Sequence, residues 1–236
     1  SGNFMNALAA PVTLFTVGFF NTDQSASESD YLFSVGSVNT EGKMFGIERN
    51  RMEDSDGDLN DDQNKFFSYD GNEKRLGPVI NKEEWKIFTQ NLNTTAPRHQ
   101  LYFDGTPQTV ADYPTSLFDT GTKFSLGIWS DDPGLGETYM DGFIAEVILF
   151  KKVLSETERN IVQSYLSAKY NIPIDVSADK YIGDTTPDYD LDVVGIGGNS
   201  VDVNNRVLTA KSNGLTIRQA SNFTDGDYLM VGHGTK

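Results

Sequence analysis

The sequence contains no cysteine and only two histidines, His99 and His233, among its 236 residues. The absence of cysteine excludes disulfides, thiolate zinc sites and cysteine nucleophiles. Basic residues are also few, since 19 Lys and Arg stand against 34 Asp and Glu for a net charge of −15. Phosphate contacts need clustered Lys and Arg, so we expect no nucleic-acid binding. No run of sequence reaches the ~18 apolar residues of a membrane helix, so we expect no direct membrane insertion.

What the first 150 residues do contain is a series of short β-rich segments separated by turn residues. Turn signals such as Asp104-Gly105 and Asp141-Gly142 stand between them. Many short strands without intervening helices favour a sandwich or a jelly roll. The strands are predicted at residues 12–19, 31–36, 43–49, 65–69, 85–91, 98–103, 123–129 and 141–150.

One helix is predicted over residues 155–170. Ser155 and Glu158 have the spacing of a capping box, in which each side chain binds the backbone amide of the other. Pro173 disfavours helix in the residue before it and sets the end. We expect the apolar stripe of this helix to pack on the sandwich. The stripe consists of Ile161, Val162, Tyr165 and Leu166.

The composition changes after Pro173, where residues 173–236 contain Asp but no Glu and few long apolar runs. Short strands are predicted near 192–196, 206–210, 214–219 and 227–232. We therefore expect two parts: residues 1–172, a jelly roll that includes the helix, and residues 173–236, a small β appendage or an extension of the sheet.

Three segments of the first part together resemble the laminin-G-like, concanavalin A-like jelly-roll family. They are residues 11–17, the Trp85 segment 85–88 with its later hairpin 101–105, and residues 141–150 with the helix that follows. The resemblance implies an all-β fold: a concanavalin A-like two-sheet jelly-roll sandwich with one α-helix on the C-terminal side and a small β appendage.

Segments 165–172, 194–197 and 225–233 are similar to regions that follow such jelly rolls in large Bacteroidota cell-surface and adhesin-like proteins. Members of that group often have an Arg-Asp pair after their Gly-Ile-Gly motif, whereas Gly198-Asn199 stands here. The resemblance implies a binding or adhesion module for glycans or proteins, often with calcium. It also implies an exported bacterial protein, extracellular or at the cell surface, in which this module is part of a longer multidomain chain.

The strongest local signal is an acidic segment at residues 53–62, with Asp at alternating positions. A tight loop can bring alternating carboxylates together on one cation, and calcium prefers 6–8 hard oxygen ligands. Leu59 and Lys65 depart from the EF-hand pattern, so an EF-hand itself is not expected. The alternative is a solvated acidic loop without metal. The predicted calcium ligands are Asp54, Asp56, Asp58, Asn60 and Asp62.

A second candidate site lies in the loop at residues 129–139, where aromatic and acidic residues stand together. Aromatic rings stack on the C–H faces of sugars, and carboxylates accept hydrogen bonds from sugar hydroxyls. The alternative is that Trp129 ends a core strand and the loop only connects. The predicted ligand-binding residues are Trp129, Asp131, Asp132, Glu137 and Tyr139.

Signals for catalysis are absent from the sequence. Glycoside hydrolases of this fold carry a Glu-x-Asp-x-x-Glu array on one strand, and this sequence has no such array. It also has no Gly-Lys-Ser/Thr phosphate loop and no Gly-x-Ser-x-Gly elbow. We therefore predict a non-catalytic, calcium-supported module that binds a carbohydrate or cell-surface glycan. A structural spacer within a large surface protein and a divergent glycosidase or polysaccharide lyase remain as alternatives.

Overall fold

The computed structural model describes twelve parts of the chain. They are residues 11–21, 30–36, 45–49, 65–69, 74–95, 99–108, 123–128, 139–183, 189–198, 205–219, 224 and 226–234. The chain forms two compact units. The first unit comprises residues 1–103 and 107–153, and the second comprises residues 104–106 and 154–236.

The first unit consists of two five-stranded antiparallel sheets. The first sheet has the order β10-β1-β6-β7-β8, and the second has the order β5-β4-β3-β2-β9. The strands of the first sheet are β1 (Val12–Phe20), β6 (Trp85–Leu92), β7 (His99–Phe103), β8 (Thr106–Gln108) and β10 (Gly142–Phe150). Those of the second sheet are β2 (Asp30–Gly36), β3 (Phe45–Arg49), β4 (Lys65–Tyr69), β5 (Lys74–Val79) and β9 (Lys123–Leu126).

Apolar side chains from both sheets form one core between them. Val12, Leu14 and Phe20 of β1 meet Leu32 and Phe33 of β2 there, and all five are fully buried. Gly18 faces Leu32 so closely that a Cβ on residue 18 would collide with the leucine methyl groups, so glycine at this position lets the two sheets approach. Burial of such side chains is the main force that holds a sandwich together.

The predicted all-β, concanavalin A-like two-sheet jelly-roll sandwich with one helix is confirmed by this arrangement. Each predicted strand of the first 150 residues overlaps an observed one, whereas β5 and β8 were not predicted. Both missed strands contain a proline, Pro78 in β5 and Pro107 in β8. Proline removes a backbone donor and is tolerated in edge strands, which both of these are.

The second unit contains the helix α1 (Glu156–Tyr170) and two small antiparallel sheets. The predicted capping box is present, with the Glu158 amide donating to Ser155 Oγ and the Ser155 amide donating to the Glu158 carboxylate. The helix ends at Asn171, which adopts the left-handed conformation. The strands are β11 (Leu191–Gly198), β12 (Arg206–Val207), β13 (Thr209–Ser212), β14 (Leu215–Arg218) and β15 (Asp227–His233), with sheet orders β12-β11-β15 and β13-β14.

The predicted apolar stripe is not the face that the helix buries. Of its four residues only Leu166 is buried, and Ile161, Val162 and Tyr165 are half-buried. The buried face is mainly polar: several of its side chains form hydrogen bonds within the second unit, while Ala168 packs with Tyr181 and Val193. It consists of Thr157, Asn160, Gln163, Ser164, Leu166, Ser167 and Ala168.

Hydrogen bonds tie this polar face into the second unit. Ser164 Oγ accepts from the Lys180 amide at 2.8 Å and donates to the Ala178 carbonyl at 3.4 Å. Thr157 bonds twice to Asn205, through its amide at 3.0 Å and its hydroxyl at 3.1 Å. The helix lies in the compact unit that comprises residues 104–106 and 154–236, and the expected division at residue 172 stays a prediction. Within the described residues, no helix has the length and apolar character to cross a membrane.

We predict that Ser164→Ala lowers the free energy of unfolding of the second unit by about 1–3 kcal/mol, because it leaves the part-buried Lys180 amide without its acceptor. Denaturant unfolding followed by circular dichroism measures this loss. Replacement of the exposed Lys151 by alanine is the control, expected to stay within about 0.5 kcal/mol of the parent protein. Equal stability of the two variants would contradict a structural role for the polar helix face.

Candidate functional site

Three aromatic side chains lie side by side across the first sheet. Phe19 of β1 is paired in register with Trp85 of β6 and with Phe143 of β10. The ring centroids of Phe19 are 5.2 Å from Trp85 and 6.0 Å from Phe143, and both pairs are tilted by about half a right angle, at 48° and 51°. We call Trp85, Phe19 and Phe143 the aromatic row.

The aromatic row points away from the core of the sandwich. Successive side chains of a strand alternate between faces, and the neighbours Gly18 and Phe20 both face the second sheet. Phe143 is 58% exposed, and Phe19 and Trp85 are half-buried. The row is therefore an accessible apolar surface on the outer face of the first sheet.

A β-bulge in β10 brings the side chain of Glu146 to the same face as the aromatic row. Val17 pairs with Glu146, but the next residue, Gly18, pairs with Ile144, so Ala145 is the extra residue. A bulge changes the alternation of side chains along its strand. As a result, Phe143 and Glu146 both register with outward residues of β1 although they are three positions apart. The half-buried Glu146 carboxylate therefore lies next to the aromatic row on the same face.

A second carboxylate lies at the opposite side of the row. Asp141 lies two residues before Phe143, and Asn21 lies two residues after Phe19, so both take the next outward position beyond the row. The Asn21 amide donates a hydrogen bond to the Asp141 carbonyl at 3.0 Å. The side chains also pair, with Asn21 Nδ2 donating to Asp141 Oδ1 at 2.8 Å. Asp141 is exposed. The pair places an ionisable oxygen acceptor and an amide at the rim of the row.

The turn before β6 brings further acidic residues to the end of β1. The Glu83 amide donates to the Phe20 carbonyl at 2.7 Å. Glu84 forms an ion pair of 2.8 Å with Lys86, and the hydrogen bond from Lys86 lowers the pKa of the Glu84 carboxyl below its usual value. Lys86 Nζ also lies 5.8 Å from the ring centre of Phe103. The charge of Lys86 is therefore already engaged by its neighbours.

The rest of the outer face near β1 is buried. Phe15 and Val17 have no exposed surface, and Phe15 contacts Phe150 edge-on at 6.1 Å. Further along, Thr13 Oγ1 donates to Asn91 Oδ1 at 2.7 Å, and both residues are buried. Among the described outward residues of β1, Phe19 of the aromatic row is the one with exposed surface.

Among the residues predicted to bind a ligand, the structure describes Tyr139. It is 62% exposed and forms an isolated antiparallel bridge with Ile128. The next residue, Met140, packs against the core. Trp129, Asp131, Asp132 and Glu137 lie outside the described residues.

The predicted calcium ligands Asp54, Asp56, Asp58, Asn60 and Asp62 also lie outside the described residues. Within the part of the chain that the structure describes, no group of three or more His, Asp or Glu side chains is placed to hold a metal ion.

Sequence reasoning missed the aromatic row, because it treated Phe19, Trp85 and Phe143 as ordinary strand residues. One signal was available in the Phe19-Phe20 doublet at the end of a strand. Adjacent residues of a strand face opposite sides, so one of two consecutive phenylalanines had to point outward.

No family model matches the sequence, and no curated protein matches it. Several solved structures are similar at low identity. The CBM40 of the Ruminococcus gnavus IT-sialidase, bound to α2,3 sialyllactose, is 14% identical with a TM-score of 0.49, over 66% of this chain and 84% of that one. A native heptameric SAP-like pentraxin from Limulus polyphemus is 13% identical with a TM-score of 0.45, over 62% of this chain and 66% of that one.

The Trypanosoma rangeli sialidase in complex with sialic acid is 12% identical with a TM-score of 0.48, over 72% of this chain. The aligned region spans about a quarter of the sialidase, 24% of its length.

We predict that Phe143→Ala changes the free energy of unfolding by less than about 1 kcal/mol, because most of this ring is already in water. Phe15→Ala, on the same face but fully buried, is the matched comparison and should cost about 3–5 kcal/mol. Denaturant unfolding of both variants measures the difference. Equal large losses would mean that Phe143 serves the core, which contradicts its assignment to an accessible surface.

Proposed function

We propose that the first unit is a non-catalytic carbohydrate-binding module and that sugar rings stack on the aromatic row. The observation that supports this proposal is the row itself, three rings in contact on an outward face with the Asp141–Asn21 pair beside them. Aromatic faces suit the C–H surfaces of sugars, and carboxylate and amide groups suit their hydroxyls. A buried core needs neither the exposure of Phe143 nor a charged rim.

The dimensions of the row suit more than one sugar ring. Its members lie on three adjacent strands, and neighbouring strands are about 4.8 Å apart, so the row is about 10 Å long. A disaccharide can lie along it. Each stacked ring contributes about 1–3 kcal/mol by analogy with bases stacked on aromatic side chains. The expected affinity is about micromolar to millimolar, which becomes useful when modules or ligands are repeated.

The spacing of the two carboxylates beside the row supports a binding role over hydrolysis. Asp141, directly before β10, and Glu146 within it are five residues apart along an extended chain, which separates their backbone positions by about 15 Å. Paired carboxylates of glycosidases are roughly 5–9.5 Å apart. The divergent glycosidase or lyase therefore stays the less favoured alternative for these residues.

We place this module in an exported, extracellular or cell-surface bacterial protein of the laminin-G-like kind, as one part of a longer adhesin-like chain. The motifs at 141–150 and 225–233, with their Bacteroidota-type resemblance, and the absence of cysteine support this placement. The loop residues Trp129, Asp131, Asp132 and Glu137 stay a prediction. Since that loop leads into Tyr139, we propose that it extends the same binding surface.

Calcium is the proposed cofactor of the acidic segment at residues 53–62. The support is the alternation of Asp54, Asp56 and Asp58, whose mutual repulsion a cation relieves. The proposed role is to stabilise the folded module. The ligand set, with Asn60 and Asp62, rests on sequence alone.

The binding proposal is tested with a glycan array probed by the parent protein and by Phe143→Ala and Trp85→Ala. We expect both variants to lose at least tenfold in apparent affinity, since each removes one stacking ring. Leu126→Ala is the control, because Leu126 is also an exposed apolar residue of the sandwich, at 45%, but belongs to β9 of the second sheet. If folded Phe143→Ala and Trp85→Ala bind glycan as tightly as the parent protein, the aromatic row is not the binding site. If the parent protein binds no glycan, the structural-spacer alternative is favoured.

The calcium proposal has its own measurement. Calcium at a hundredfold excess over its dissociation constant should stabilise the folded state by about 2.7 kcal/mol, seen as a higher melting temperature that a chelator reverses. Asp56→Ala should reduce this shift. The calcium proposal would be contradicted if titration calorimetry showed no heat of calcium binding and the chelator left the melting temperature unchanged.

A further inference from the structure

We infer that His233, Asp192 and Asn213 form a pH-operated clasp, which holds the β13–β14 hairpin to strands β11 and β15 more firmly in mildly acidic than in alkaline solution. The clasp lies within the second unit and is independent of the aromatic row. The contacts of the three side chains and the chemistry of the imidazole ring support it.

One carboxylate oxygen joins three segments of the second unit. Asp192 Oδ2 lies 2.8 Å from His233 Nε2 and accepts a hydrogen bond of 3.3 Å from Asn213 Nδ2. Asp192 belongs to β11, His233 ends β15, and Asn213 stands in the turn between β13 and β14. The two contacts therefore connect the tip of the hairpin to the two strands.

Asp192 lies at an irregular point of β11. The register of β11 with β15 shifts between Leu191 and Val194, and Asp192 adopts the left-handed conformation there, with a φ of 52°. Such irregularities re-aim a side chain, and Asp and Asn tolerate the left-handed region better than most residues. Asp192→Asn is therefore a substitution that removes the charge and suits the same backbone.

The imidazole ring of His233 meets an acceptor at each nitrogen. Nε2 lies 2.8 Å from the Asp192 carboxylate, and Nδ1 lies 2.9 Å from the carbonyl oxygen of Gly234. A neutral imidazole has one N–H and can donate to only one of these acceptors, whereas the imidazolium donates to both. The protonated ring therefore completes the arrangement.

The charge of Asp192 favours the same protonated ring. The hydrogen bond from His233, followed by that from Asn213, lowers the pKa of the Asp192 carboxyl below its usual value. Because the coupling between two groups is reciprocal, the carboxylate in turn raises the pKa of the His233 ring.

His233 is the group through which a change of pH near neutrality reaches the clasp. It is the only histidine of residues 104–236, and histidine is the side chain whose charge ordinarily changes between pH 5 and 8. On strands β11, β13, β14 and β15 and at the two positions before β11, the other described titratable side chains are Tyr189, Asp190, Lys211, Arg218, Asp227 and Tyr228.

The sign of the pH dependence follows from these directions. A raised pKa in the folded state stabilises that state below the unfolded pKa of histidine, about 6.5, and this stabilisation is lost as the pH rises through the folded value. The lowered pKa of Asp192 acts at the acidic end, where its contribution is lost as the pH falls. The clasp is therefore complete in mildly acidic solution and weakens above neutral pH.

The effect of the clasp is local. The side chains of His233 and Asp192 are 55% and 41% exposed, and exposed ion pairs contribute little to global stability. Local opening of the hairpin is the process that such a contact can control, because segments of a fold open with smaller free energies than the whole.

The protonation of the ring is measured on the full chain by nitrogen-15 NMR. The chain has two histidines, so His99→Gln identifies the signals of His233. The titration midpoint of His233 should lie about half a pH unit or more above 6.5, and Asp192→Asn should return it toward 6.5. A midpoint at or below 6.5 in the parent protein would overturn the inference.

Hydrogen exchange of the amides of residues 205–219 measures whether the ring holds the hairpin. After correction for the intrinsic exchange rate at each pH, protection should fall about threefold or more between pH 5.5 and 8, the ratio that corresponds to half a pH unit. In His233→Gln, protection should not change with pH. His99→Gln, which replaces the other histidine, is the matched control and should behave like the parent protein.

The two measurements together decide the inference. A raised midpoint combined with protection that does not depend on pH would overturn the clasp, since the ion pair would then not act on the hairpin. The same pH dependence of protection in the parent protein and in His233→Gln would overturn it as well.

Discussion

Strand β1 lies at the centre of the first sheet, between β10 and β6, and is buried on both faces for most of its length. Its inward residues form the core with the second sheet, and Gly18 gives Leu32 the space to approach. The backbone register of β1 with its two partners then decides which side chains meet on the outer face. The aromatic row is a consequence of this register, since Trp85, Phe19 and Phe143 come together only through it.

Burial of the outward side chains changes along this strand. Phe15 and Val17 are sealed on the outer face, whereas Phe19, two residues further on, touches two rings that solvent reaches. The bulge at Ala145 adds a carboxylate to the same surface without breaking the sheet. One strand thus supports the core along its inward face and, at its end, presents the accessible aromatic row on its outward face.

Much of the fold could be predicted because its signals are local. Turn dipeptides and β-rich runs located β1, β6 and β10, and the spacing of Ser155 and Glu158 located the start of α1. The buried face of that helix could not be predicted from apolar periodicity, since side chains such as Ser164 are satisfied by backbone groups contributed by later residues. The aromatic row could not be predicted either, because its members are separated by more than fifty residues and need the strand register to meet. Sequence reasoning instead favoured loops where aromatic and acidic residues are neighbours along the chain, such as that of Trp129.

The two tryptophans of the chain allow these two surfaces to be distinguished directly. With Trp129→Phe, Trp85 is the single tryptophan, and with Trp85→Phe, Trp129 is. Each variant is titrated with the oligosaccharide that gives the strongest array signal, and tryptophan fluorescence is followed. The account predicts a saturable change in the Trp129→Phe protein and a weakened or absent change in the Trp85→Phe protein. A saturable change confined to the Trp85→Phe protein would place the ligand at the loop and contradict a binding site on the aromatic row.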